Sequence, residues 1–294
     1  METNWQTAYF YTDNPSTLPR KYLARMNVTA IKRFREKLAR DELTLGLWVT
    51  LESPSITEAA VAIGIDWITI DAEHGHLGWN DIVHHVRAAV RSETPVVVRI
   101  AELNGGLIKR VLDIGADGVI IPWMESASQL REAVSWATYP PVGKRGMGGE
   151  RATCWGQALT QHVDECRDYP PLVIPLIESV EGYQHVDEML GVEGVDVFFF
   201  GPADFSATAG YPGQWEGPGV AEMILDAKNK IRTAGKHCGV MATSNENLCQ
   251  RREQGFRMIG TGMDIGLMIR SLRDSLAEDG RGGELNTSFI PPQK

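Results

Sequence analysis

The chain has 294 residues, 43% of them hydrophobic, and a formal net charge of −9. That length accommodates one large domain or two small ones, and the acidic balance argues against a nucleic-acid groove, since phosphate binding calls for a basic face. No run of about 18 apolar residues is present and the N-terminus has no apolar core of signal-peptide type, so neither a membrane span nor a secretory leader is expected.

In chain order, residues 1–24 are polar and aromatic and read as an arm, and Asn27 to Arg40 reads as a first helix. A regular alternation follows. Strands are expected over Thr44–Leu51, Trp67–Glu73, Pro95–Ile100 and Gly118–Trp123, with helices over Ser55–Gly64, Trp79–Arg91, Gly105–Gly115 and Ser126–Ala137. The second half repeats the pattern, with strands at Leu172–Ser179, Val195–Gly201, Cys238–Thr243 and Met258–Gly262. Its helices are expected at Tyr183–Gly191, Gly219–Ala234, Asn245–Gly255 and Ile265–Ala277. Apolar strand runs joined by helical crossovers mean parallel strands covered on both sides, and eight such units predict an α/β fold of the closed (β/α)8 TIM-barrel type. An open doubly wound sheet is the alternative, but the turn TLESPS after the first strand lacks its glycine-rich signature. The domain reading is an arm and helix over 1–42, a barrel over 43–278 and a flexible tail over 279–294. Cys154, Cys166, Cys238 and Cys249 have no CxxC spacing and read as free thiols, as expected of a cytoplasmic protein.

In such barrels the chemistry sits at the C-terminal ends of the strands. Those ends carry Asp71, Glu73 and His74 after the second strand, Arg99 after the third, Glu178 after the fifth and, through the turn GPAD, Asp204 after the sixth. Two acids on adjacent strands repel unless a cation lies between them, and Glu178 with Asp204 would suit a hard divalent ion such as Mg²⁺ or Mn²⁺. A surface acid and a turn-capping aspartate would have the same spacing. Arg99, ending an apolar strand, calls for an anionic partner from either ligand or protein. His74 beside Glu73 suits a general base, or a merely hydrogen-bonded histidine. His84 and His85, on the following helix, read as solvent-exposed. The loop Tyr139–Arg151, with Arg145 and Arg151, lacks the phosphate-loop pattern and would either close over an anion or be tied down by neighbouring acids. No lysine ends a strand, which speaks against Schiff-base chemistry.

Taken together, GLWVTLESP, TIDAEHG, VVVRI, YPPVGKRG, LIESVEG and FFFGPADFSATAGYPG resemble the HpcH/HpaI group of metal-dependent pyruvate aldolases over roughly Leu43 to Leu276. The resemblance implies a (β/α)8 barrel assembled as a homo-oligomer, a hexamer or trimer, with its last helix exchanged between subunits. It implies a divalent metal, Mg²⁺, Mn²⁺ or Co²⁺, bound by Glu178 and Asp204. Arg99 would contact the keto acid, His74 would act with Asp71 in proton transfer, and Asp113 would approach the histidine from a neighbouring subunit. Trp48 would line the pocket, and the backbone at Ala203 and Asp204 would receive the substrate carboxylate. Relatives often carry glutamine where this chain has Leu176, which removes a hydrogen-bond donor near the keto acid.

The reaction implied is cleavage of a 4-hydroxy-2-oxo acid to pyruvate, or a close analogue, and an aldehyde through a metal-stabilised enolate. Oxaloacetate decarboxylation, in the manner of macrophomate synthase, would use the same groups. A non-catalytic keto-acid-binding barrel is the third reading, opposed by the retained acids, Arg99 and His74.

Overall fold

The computed structural model describes residues 26–281. The arm and most of the tail therefore lie outside the described residues. Eight parallel strands close into a barrel in chain order: β1 (Thr44–Val49), β2 (Trp67–Asp71), β3 (Val96–Arg99), β4 (Gly118–Ile121), β5 (Leu172–Ile177), β6 (Val197–Phe200), β7 (His237–Met241) and β8 (Met258–Met263). The open-sheet alternative is excluded, because β1 pairs with both β2 and β8.

Helices α1 (Val28–Ala39), α2 (Pro54–Ala62), α3 (Trp79–Ala89), α4 (Gly105–Ile114) and α5 (Ala127–Ala137) match the expected elements. So do α10 (Val220–Thr233), α11 (Asn245–Glu253) and α12 (Asp264–Glu278). Three differences stand out. The helix expected over Tyr183–Gly191 is two short ones, α7 (Val180–Gln184) and α8 (Val186–Leu190). A helix the sequence pattern did not suggest, α6 (Leu159–Asp168), precedes β5; it is mostly polar, and only His162 and Cys166 are buried. Another, α9 (Pro202–Thr208), starts directly after β6 with Pro202 in its first turn, where proline's missing N–H costs nothing.

Alternation along each strand sorts side chains between two cores. On β2, Ile68 and Ile70 join the layer between sheet and helices, whereas Trp67 belongs to a second core inside the barrel. The inner core includes Trp48, Val97, Ile120, Leu176, Phe199 and Met258, and it continues into Ile31, Phe34 and Leu38 of α1. Helix α1 is therefore a plug for the N-terminal end of the barrel, a role its sequence did not reveal. Its polar anchors confirm the placement. Asn27 N–H donates to Asp117 at 2.6 Å, Lys37 meets Asp66 at 2.5 Å, and Arg35 meets Asp196 at 2.8 Å. These three aspartates precede β4, β2 and β6, so α1 is pinned across that rim. The C-terminal end is left as the open mouth.

Among the described residues, no helix is long and apolar enough to cross a membrane. None of the four cysteines forms a disulfide; Cys154, Cys166 and Cys238 are buried and Cys249 is exposed.

Candidate active site

The inward parity of β2 and β3 brings two opposite charges together at the mouth. Asp71 and Arg99 are register partners on adjacent strands. The guanidinium grips the carboxylate with two hydrogen bonds, Nε to Oδ1 at 2.9 Å and Nη2 to Oδ2 at 2.5 Å. Asp71 is fully buried, so this fork–fork geometry compensates a charge that would otherwise be costly. Two residues on, Glu73 shares the face and places Oε2 2.9 Å from Arg99 Nη1. The Trp48 ring lies against the guanidinium, 4.6 Å from Cζ to centroid. The partners of Arg99 among the described residues are thus two carboxylates and an indole. Glu73 was expected only as the neighbour of His74, with no part at Arg99. The signal for it was present in TIDAEHG, where residues 71 and 73 share one face of an extended chain. Burial pushes the Glu73 carboxyl above its ordinary range, with Arg99 pulling the other way.

Glu178 follows β5 and is 2% exposed. Its Oε1 accepts the backbone N–H of Trp123 at 2.8 Å. Trp123 adopts φ of 50°, a left-handed conformation that is strained for an aromatic residue. On the other side is Gly201, where a Cβ would stand only 2.7 Å from Glu178 Oε2, so the turn after β6 has to be glycine for the carboxylate to fit. Asp204 lies in the first turn of α9 and is half-buried, and Ala203 beside it is exposed. Burial first, then the neighbouring charges of Glu73 and Asp204, push Glu178 up to about 8, against the Trp123 N–H and Arg99. Four carboxylates therefore share the mouth with one guanidinium.

The other expected residues are placed as follows. Leu176 is 2% exposed and faces inward two residues before Glu178, in register with Phe199. The His74 ring projects to solvent, with Nε2 3.9 Å from Glu73 Oε2, while its backbone N–H donates to Asp71 Oδ1 at 3.3 Å. The carboxylate nearest the imidazole is thus Glu73, and Asp71 is committed to Arg99. Asp113 lies near the end of α4, at the rim opposite the mouth, and pairs with Arg145 at 3.0 Å. Arg145 is buried against Tyr139, and Arg151 donates to the Ile114 carbonyl at 2.9 Å. The arginine loop is therefore tied to its own barrel away from the mouth. His85 corrects another expectation. It is fully buried, with Nδ1 2.9 Å from Thr57 Oγ1 and Nε2 3.0 Å from the Leu51 carbonyl. A carbonyl only accepts, so Nε2 carries the proton and the Thr57 hydroxyl donates to Nδ1.

The sequence profile of the HpcH/HpaI aldolase/citrate lyase family matches residues 44–271, the whole barrel. The chain belongs to that family. The 2-keto-3-deoxy-L-rhamnonate aldolase of Escherichia coli O17:K52:H18 (strain UMN026 / ExPEC) is 35% identical over 262 residues, spanning 88% of this chain and 97% of that protein. Among solved structures, an HpcH/HpaI aldolase/citrate lyase family protein from Burkholderia cenocepacia J2315 has a TM-score of 0.80 at 31% identity, covering 84% of this chain and 99% of its own. An HpcH/HpaI aldolase from Desulfitobacterium hafniense DCB-2 has a TM-score of 0.76 at 29% identity, covering 87% and 98% respectively. The expected family and the expected lyase class are both met.

An HpcH/HpaI-type metal fits these donors by their chemistry. Among the described residues, no group of three or more His, Cys, Asp or Glu side chains is gathered to hold an ion alone. A hard divalent ion held by two carboxylates, with water and ligand oxygens completing the shell, does not need a third. Glu178, raised by burial and then by the neighbouring acids, is the group such an ion would relieve. A stability consequence follows. The folded protein holds the Glu178 proton up to about pH 8, whereas an unfolded glutamate releases it near 4.5. Metal-free protein should therefore lose stability as pH rises through that window, by up to about 1.4 kcal/mol per pH unit. Asp117, pushed up to about 7 by burial, adds to the same slope. The rise in melting temperature on adding Mn²⁺ should be larger at pH 8 than at pH 6 and be lost in Glu178→Gln. An equal rise at both pH values would detach Glu178 from the metal.

Proposed function

We propose that this chain is a divalent-metal-dependent aldolase that cleaves a 4-hydroxy-2-oxo acid into pyruvate, or a close analogue, and an aldehyde. The observation that carries the reading is the cluster of Asp71, Glu73, Glu178 and Asp204 around Arg99 at the strand ends, with Glu178 buried and raised. The name of the 35%-identical Escherichia coli relative supports the reaction class.

Glu178 and Asp204 would hold the ion, which when bound supplies Lewis acidity toward a keto acid. Arg99, fixed by two carboxylates and backed by Trp48, directs positive charge to where the enolate oxygen develops. The first-turn N–H groups of Ala203 and Asp204 are free of helix acceptors and suit the substrate carboxylate. His74, at the mouth beside Glu73, takes the proton from the 4-hydroxyl. The C3–C4 bond then breaks, its electron pair goes to the keto-acid enolate, and the aldehyde leaves. Protonation at C3 completes pyruvate. Asp113 lies too far along α4 to reach His74 of its own chain, so its part in proton transfer requires a second copy.

Helix α12 supports a homo-oligomer. Its only buried residue is Asp264, and Met268, Leu272 and Leu276 form an exposed apolar stripe at four-residue spacing. Leu272→Glu should dissociate the assembly and lower turnover, as measured by light scattering beside an assay. A fully active monomer would remove the need for a neighbour.

Leu176 sets a substrate expectation. As a branched apolar wall below Glu178 it cannot donate to a keto acid, so Leu176→Gln should shift preference toward pyruvate over 2-oxobutanoate in the aldol direction. The gain in pyruvate binding is at most about 1.5–3 kcal/mol. An unchanged ratio would mean that Leu176 only packs the barrel.

The reaction class is tested by a panel of 4-hydroxy-2-oxo acids and oxaloacetate, assayed with Mg²⁺, Mn²⁺ and Co²⁺. Pyruvate and aldehyde release from the hydroxy acids is expected. Turnover of oxaloacetate alone would make the protein a decarboxylase, and no turnover at all would leave only keto-acid binding.

A further inference from the structure

The turn after β4 is a latch on Glu178. Trp123 N–H donates to Oε1 at 2.8 Å, and the left-handed φ of 50° that aims it is strained for a residue with a side chain. Such a conformation persists only where its surroundings hold it. Here the hold comes largely from the segment that carries Glu178 itself. Met124 N–H donates to the Leu176 carbonyl at 3.2 Å. Ser179 Oγ donates to Glu125 Oε1 at 2.6 Å and accepts the Gly182 N–H at 3.0 Å. Gly182, in α7, lies against the Met124 carbonyl, where a Cβ would stand only 2.8 Å away. On the other side, Glu125 N–H donates to Gln129 Oε1 at 2.9 Å, which ties the turn to α5.

The consequence falls on the two carboxylate oxygens. Oε1 is committed to the backbone. Oε2 has no hydrogen bond among the described residues and faces the Gly201 turn, 2.7 Å from where a Cβ would be. That turn leads directly to Asp204 in the first turn of α9. Glu178 therefore presents one oxygen toward the segment that carries Asp204. A single oxygen per carboxylate suits a small ion with a strict octahedral shell. Ca²⁺ is larger, takes about six to eight oxygens in flexible geometry and accepts both oxygens of one carboxylate.

We infer that Glu125, Ser179 and Gly182 are positioning residues: through the Trp123 N–H they hold Glu178 to one-oxygen coordination and make the site select a small octahedral cation over Ca²⁺. The inference rests on the reading of Glu178 as a metal ligand. The test is isothermal titration calorimetry of the full chain, freed of metal, with Mn²⁺ and separately with Ca²⁺. The parent should bind Mn²⁺ more tightly than Ca²⁺, and Glu178→Gln should lose Mn²⁺. Glu125→Ala unties the turn, and Gly182→Ala drives a methyl group against the Met124 carbonyl without changing any charge. Each should weaken Mn²⁺ at least about tenfold, the usual size for loss of an outer-shell partner. Ca²⁺ should weaken less, so that the ratio of the two affinities falls. Glu125→Gln keeps an acceptor oxygen for Ser179 and should restore the parental ratio. If Gly182→Ala does not fold, the two Glu125 variants decide. Equal losses in Glu125→Ala and Glu125→Gln would mean that the acid acts by its charge, and would overturn the inference. So would equal weakening of both ions. Parental Mn²⁺ affinity in Glu125→Ala and Gly182→Ala, with binding lost in Glu178→Gln, would overturn the latch and leave the metal reading standing. No Mn²⁺ binding by the parent would overturn both.

Discussion

Glu178→Gln is expected to abolish turnover while leaving the barrel intact or more stable. The two outcomes have one cause. The carboxylate is buried, raised to about 8 and surrounded by Glu73 and Asp204, so ionising it without a cation is costly. Glutamine keeps an oxygen for the Trp123 N–H and fits the space next to Gly201, but it carries no charge. Its melting temperature in chelator should therefore equal or exceed that of the parent near pH 8. The loss of activity should be at least about 10²–10³-fold, the usual size when one principal charge-stabilising group is removed. Calorimetry and a pyruvate-release assay on the same preparation check both parts. A variant that turns over normally would place the metal elsewhere.

His74→Ala should lower carbon–carbon cleavage by roughly 10²–10⁴-fold, the range for loss of a general base. Stability should not change, because the ring is largely exposed and its nearest polar neighbour is Glu73 at 3.9 Å. The defect should fall on kcat more than on KM, because the histidine acts at the 4-hydroxyl during bond breaking and not in anchoring the keto acid. Exchange of the methyl protons of pyruvate, followed by NMR, separates the steps. If exchange survives and cleavage does not, His74 serves the aldehyde side alone. An unchanged cleavage rate would make it a structural residue. Glu73→Gln provides a companion test, since it removes the carboxylate closest to the imidazole and leaves the Asp71–Arg99 fork in place.

The barrel was legible because each strand reads as an apolar run and each helix carries a stripe, and both periodicities survive any local irregularity. Elements that escaped lacked those marks. Helix α6, LTQHVDECRD, buries only two side chains, and α9 hides in GPADFSA, where glycine and proline suggest a turn. At the site, Asp71, Arg99 and Glu178 were legible from strand-end position. Glu73 was passed over in favour of its neighbour His74, although alternation put it on the face of Asp71. His85 was misread because its partners, Thr57 and the Leu51 carbonyl, come from separate segments that only the closed barrel brings together. The plug function of α1 was illegible for the same reason: Asp66, Asp117 and Asp196 are scattered in sequence and become one rim only on closure. Trp123 gave no sign that its backbone N–H, held at positive φ, would secure Glu178.

The central claim is that the acidic mouth works through a divalent ion, and removal and return of that ion test it most directly. The full chain would be treated exhaustively with chelator, freed of it, and assayed for pyruvate release from a 4-hydroxy-2-oxo acid before and after Mn²⁺ or Mg²⁺ is added. Two carboxylate ligands imply moderate affinity, so the expected result is complete loss and near-complete recovery. Undiminished pyruvate release from metal-free protein would contradict it.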